Sequence, residues 1–253
     1  MIKRAKRGQV TLFIILAIVI LGAMIFFLYP RVKVLFVPKT PISIIDECLK
    51  GSLDEALSIV LKQGGSIEPS LYYTFEGNNV EYLCYTNDNF KTCVMQQPLL
   101  KQHIEREIKE YIEPRARNCI GILKEEMTAK GYDVKADYKG MSVEIIPNKI
   151  NIDVVADVVL RKEGSETFNR FSIKKASKVY DLIMISTSIL NYEAHYGDAE
   201  TTIYMIYYPT IIVEKLKQGD GSKIYNLVDI NTQEKFTFAT RSLVSPGGYK
   251  LRG

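Results

Sequence analysis

Hydrophobic and polar positions divide the chain sharply. Residues Val10 to Leu28 form an uncharged run of nineteen, interrupted only by Thr11 and Gly22 and followed by Tyr29-Pro30. As a helix, nineteen residues rise roughly 28 Å, close to the roughly 30 Å hydrocarbon core of a bilayer. A cleaved secretory signal has a shorter apolar stretch and a small-residue cleavage site, and the bulky Phe26-Phe27-Leu28 offers none. The run predicts a transmembrane helix over 10–29, with a basic flank or leader over 1–9. Pro38 and Pro41 mark a short extended linker over 30–42. An exported domain is expected over 43–245 and a loose tail over 246–253.

Helical spacing returns after the linker. Ile45, Leu49, Leu53, Ala56, Leu57 and Val60 form one stripe, ended by Gly64-Gly65. A second stripe runs through Leu100, Ile104, Ile108, Tyr111, Ile112, Cys119, Leu123 and Met127, where Pro114 predicts a kink or a split. A third runs through Val179, Leu182, Ile183, Ser186 and Leu190, and Ala199–Tyr208 suggests a short fourth helix. Between the second and third helices the period falls to two, at Val143, Ile145, Ile150, Ile152 and Val154. That pattern predicts three antiparallel strands turning near Lys139-Gly140 and Pro147-Asn148. A further hairpin is expected from Lys223–Ile230 with Glu234–Leu243. The fold class is α+β, with an N-terminal transmembrane helix before a domain of antiparallel strands and several helices.

Charge orients the first segment. Lys3, Arg4, Lys6 and Arg7 precede the apolar run and Arg31 and Lys33 follow it, which favours the N-terminus inside and the domain outside. The junction Lys6-Arg7-Gly8-Gln9 resembles the class III, prepilin-type signal peptides of archaea. That resemblance implies cleavage after Gly8, leaving Gln9 as the new N-terminus. Phe13 stands where many type IV pilins carry Glu, and Pro30, Pro38 and Pro41 should stop the helix early. More broadly, RGQVTLFIILAIVI, CLKGSLDEALSIVLKQGG, YIEPRARNCIGIL and FTFATRSL resemble an uncharacterised membrane-anchored family of small-genome archaea. The resemblance supports the anchor and the exported domain and implies no activity.

The net charge of +4 comes from 33 basic and 29 acidic residues. The four basic residues before Gly8 account for all of it, so the exported part is neutral and no nucleic-acid partner is expected. The expected partners are the lipid bilayer and envelope or surface proteins.

Four cysteines, Cys48, Cys84, Cys93 and Cys119, include no C-x-x-C pair. An even count in an exported domain points to disulfides, with three possible connectivities. A two-residue turn at Asp88-Asn89 would set Cys84 opposite Cys93 on a non-hydrogen-bonded pair, about 4.5 Å apart at Cα and within bonding range. Cys48 would then pair with Cys119 by elimination.

Chemistry is sparse. His103 lies among Glu105, Arg106 and Glu107 and reads as a solvated or cap-side residue. His195 lies near Glu193, Asp198 and Glu200, too weak a pattern for a metal centre. Asp153 and Asp157 read as the outer face of a strand. No G-x-S-x-G, P-loop or dinucleotide fingerprint is present. No catalytic, cofactor or metal residue is assigned and an enzyme is not expected. The function expected is a single-pass cell-surface protein presenting a binding or structural domain. The alternative is a pilin-like subunit assembled through its apolar helix.

Overall fold

A computed structural model describes residues 13–25 and 39–244. Gly8, Gln9, Val10, Leu28 and the tail over 246–253 lie outside them. The chain divides into two units, 1–40 and 41–253. In the first, residues 13–25 are helical (α1), and every side chain along them is exposed. Thirteen residues rise only about 20 Å. Among the described residues no helix is long and apolar enough to cross a membrane.

The second unit is α+β. Its helices are α2 (Pro41–Lys62), α3 (Leu100–Ala129), α4 (Val179–Tyr196) and α5 (Thr202–Tyr207). Its strands are β1 (Tyr72–Phe75), β2 (Asn78–Tyr85), β3 (Val94–Met95), β4 (Asp133–Ile146), β5 (Lys149–Arg161), β6 (Ser165–Ala176), β7 (Ile211–Lys217), β8 (Ser222–Asp229) and β9 (Lys235–Arg241). One sheet runs β1-β2-β9-β8-β7 with β3 paired to β2, and the other is the meander β4-β5-β6. The apolar stripes of α2, α3 and α4 and the inner faces of both sheets share one core. A smaller cluster of Val80, Tyr82, Ile224 and Ala239 covers the opposite face of the larger sheet.

Three local expectations are corrected. Pro114 does not split α3, which is one continuous helix of 30 residues. Pro114 is exposed, so water can reach the carbonyl its missing N–H leaves unbonded. Lys139-Gly140 is a bulge rather than a turn: Tyr138 pairs with Ala156 and Gly140 with Val155, and the ladder continues from Asp133–Arg161 to Ile146–Lys149. The true turn is Pro147-Asn148, where Pro sets a negative φ and Asn148 adopts φ 66°, the combination of a type II turn. Finally, the strands are not all antiparallel. β2 and β9 pair in parallel, because the chain between them crosses the whole domain before returning beside β2.

The cysteines pair as Cys48–Cys119 and Cys84–Cys93, with Cα separations of 5.8 and 5.3 Å. The first bridges α2 and α3. The second does not sit on the expected hairpin register, since Cys84 lies opposite Met95 and Tyr85 opposite Val94. The segment after β2 is drawn instead to the end of β9. Thr86 N donates to Arg241 O, Phe90 N to Leu243 O, and Leu243 N to Lys91 O. Those bonds replace the ones a tight Asp88-Asn89 turn would have made, and the disulfide closes the longer loop that results.

Candidate functional site

Two clusters of buried polar side chains could support chemistry. The first forms where α4 ends. Gly197 caps the helix at φ 80°, donating its N–H to Glu193 O at 3.0 Å. A Cβ there would run into the Val244 side chain, so glycine is required for space as well as for φ. Glu193 follows Ile189 and Leu190 on the buried stripe and is fully buried. Lys223 Nζ donates to both its oxygens, at 3.0 and 2.8 Å, Ala199 N donates at 3.2 Å, and the Tyr225 hydroxyl also donates to it. Lys223 further reaches Gly197 O and Asp198 Oδ1, the latter at 3.1 Å. Asp198 in turn accepts Lys215 at 2.9 Å and Lys217 at 3.2 Å.

The electrostatics follow from this wiring. Burial pushes the Tyr225 hydroxyl up, and the adjacent Glu193 carboxylate pushes it further. Burial disfavours the Asp198 carboxylate, but Lys215, Lys223 and Lys217 outweigh it and hold the group at about 2. Beside the cluster lies an open cavity of about 230 Å³ lined by Asp198, Lys217, Ser222, Lys223 and Ser242 among others. Every charge on the buried side is compensated, so the arrangement locks α4 to β8 and supplies no free base or nucleophile.

The second cluster joins Ser66, after α2, to Glu81 on β2 and His103 on α3, and all three are buried. Ser66 Oγ lies 2.5 Å from Glu81 Oε2 and 2.8 Å from His103 Nε2. These are the residue types of a hydrolytic triad, but the order is wrong for one. Arg106 Nη2 lies 2.9 Å from His103 Nδ1, and a guanidinium only donates, so Nδ1 is the acceptor. The ring proton is then on Nε2 and is donated to Ser66, whose own proton goes to Glu81. His103 cannot take the serine proton in this arrangement. Burial raises the Glu81 carboxyl above its usual range, against the opposing hydrogen bonds from Ser66 and Gln97. The cluster ties the end of α2, β2 and the start of α3 together.

The reading of His103 as a solvated residue is therefore corrected: it lies on the buried side of α3. Glu105, Arg106 and Glu107 follow it closely, and nothing in the sequence joins it to Ser66 and Glu81, 37 and 22 positions away. Glu193 has a legible signal, since it falls at helical spacing from Ile189 and Leu190. His195 points away from Glu193, with Nδ1 at 2.7 Å from Asn191 O, and is exposed. Asp153 bonds Ser172, while Asp157 lies 3.7 Å from Lys139, so the two carboxylates have separate partners. Among the described residues no group of three His, Cys, Asp or Glu could hold a metal ion. Comparison with known families, with curated proteins and with solved structures finds no match.

Proposed function

We propose that the chain is a single-pass membrane-anchored cell-surface protein presenting a disulfide-stabilised domain for binding or for envelope structure. The observation that carries this reading is the pair of disulfides, which uses all four cysteines and leaves no free thiol. Such bonds persist in oxidising compartments and are rare where thiols are kept reduced. The uncharged run from Val10 to Leu28 supports the anchor, and residues 13–25 within it are helical with exposed apolar side chains. The basic residues before Gly8 support an outward domain. Partners follow from the same features: the bilayer for the apolar run, and envelope or surface proteins for the neutral domain.

Alkaline extraction of native membranes, with protease treatment of intact cells, tests the reading. The chain should stay with the membrane and lose residues beyond 40 to protease. Release into the alkaline supernatant, or full protection from protease, would reject it. The alternative, a pilin-like subunit, is favoured by one observation, the Arg7-Gly8-Gln9 junction. It requires a chain beginning at Gln9 in a sheared filament fraction.

A further inference from the structure

An aromatic patch stands outside both polar clusters. Residues Thr201 to Val213 read TTIYMIYYPTIIV, thirteen positions without a charge. Within them, α5 turns Tyr204 inward, where its hydroxyl meets Ser188 Oγ of α4 at 3.0 Å. The other side of α5 is left open: Ile203, Ile206 and Tyr207 are exposed, the last two at 71% and 74%. Tyr208 is exposed just beyond. On α4, one and two turns beyond Ser188, Tyr192 and Tyr196 are exposed as well, their rings 5.6 Å apart. Because Tyr204 of α5 meets Ser188 and Tyr192 lies one helical turn beyond Ser188, the Ser188–Tyr204 contact brings α5 beside this stretch of α4.

Six such side chains at these exposures amount to roughly 750 Å² of exposed surface, above the largest patch of an ordinary monomer. Four of the six residues carry a hydroxyl at the end of an apolar ring. A dry groove would have to satisfy each hydroxyl, whereas a membrane–water interface accepts the ring and hydrates its tip. We infer that the face formed by Tyr192, Tyr196, Ile203, Ile206, Tyr207 and Tyr208 is a membrane-contact surface that seats the domain against the lipid headgroups. The inference rests on the anchor reading, because a tether makes the second contact intramolecular and a shallow patch then suffices to hold it.

The chain has no Trp, so Tyr207→Trp introduces a single indole reporter at the patch. The full-length variant is reconstituted into phosphatidylcholine vesicles, with Phe90→Trp, at an exposed loop residue, as the comparison. The indole of the Tyr207→Trp chain should emit to the blue of the one in the Phe90→Trp chain. Lipids brominated near the headgroup should quench the patch indole about twofold, since interfacial side chains sit roughly 5–10 Å into that boundary. Adding Ile206→Asp to Tyr207→Trp should remove the quenching. A chain that floats with the vesicles after an alkaline wash but shows no quenching by brominated lipid overturns the inference and leaves the anchor standing. Blue-shifted emission that brominated lipid does not quench, and that is lost on diluting the chain among vesicles, also overturns it, assigning the patch to a second copy. A chain that washes off the vesicles overturns the anchor reading and this inference with it.

Discussion

Removing the Cys48–Cys119 bond by Cys48→Ala with Cys119→Ala should destabilise the domain more than removing Cys84–Cys93. The two cysteines are 71 positions apart, against 9 for the other pair. In the chain-entropy account, closing these loops in the unfolded state is worth about 4 and about 2.5 kcal/mol respectively. Both sulfurs of the first pair lie between α2 and α3, so the alanine pair also loses packing there. For a domain of this size each kcal/mol shifts Tm by about 2–4 °C, so the first double variant should melt about 10 °C lower and the second clearly less. Urea unfolding followed by circular dichroism gives the comparison, with wild type in reductant as a third arm. Reduced wild type should be the least stable of all. An unchanged wild-type midpoint in reductant, or a more damaging Cys84→Ala, Cys93→Ala pair, would refute the assignment of that stability to the Cys48–Cys119 bond.

The polar clusters yield further outcomes. Lys223→Met leaves the fully buried Glu193 without its cation and should cost about 3–5 kcal/mol in urea unfolding; adding Glu193→Gln should restore much of it. Asp198→Asn should cost about 1 kcal/mol at neutral pH, a figure reduced for solvent screening at this half-exposed carboxylate. Because the folded group is held at about 2, below its ordinary value of 3.8, that stabilisation is present above 3.8 and lost as pH falls through 2. The gap between the two proteins should close over that range. Glu81 behaves oppositely. Its carboxyl is raised above 4.5, so its contribution is present below 4.5 and lost as pH rises through the folded value. Wild type should therefore lose stability relative to Glu81→Gln on going from pH 4 to pH 7, read as urea midpoints; a constant difference would contradict the assignment.

Local periodicity makes the helices and the central meander legible. The stripe from Ile45 to Val60 and that from Val179 to Leu190 are buried as their spacing requires. What the sequence hides depends on partners far along the chain. Nothing near Thr86 announces that β9 will arrive in parallel and take the hydrogen bonds of a tight turn. The Cys84–Cys93 bond is therefore readable while its register is not. Strand β6 escapes a reading of the sequence for a related reason: it has a polar outer face over most of its length. Gly140 illustrates the ambiguity of a glycine inside a period-two run, which signals a turn or a bulge until the length of the opposing strand decides. The buried clusters draw on residues tens of positions apart, and only Glu193 carries a trace of its burial in its helical phase.

The most direct test of the account is the intact mass of the chain recovered from its native membrane, alkylated once without reduction and once after it. The chain should be recovered in the alkali-washed membrane, with no thiol adduct before reduction and four after it. An N-terminus at Gln9 in that spectrum would favour the filament alternative. Recovery in the soluble fraction, or four adducts without reductant, would contradict a membrane-anchored domain facing an oxidising exterior.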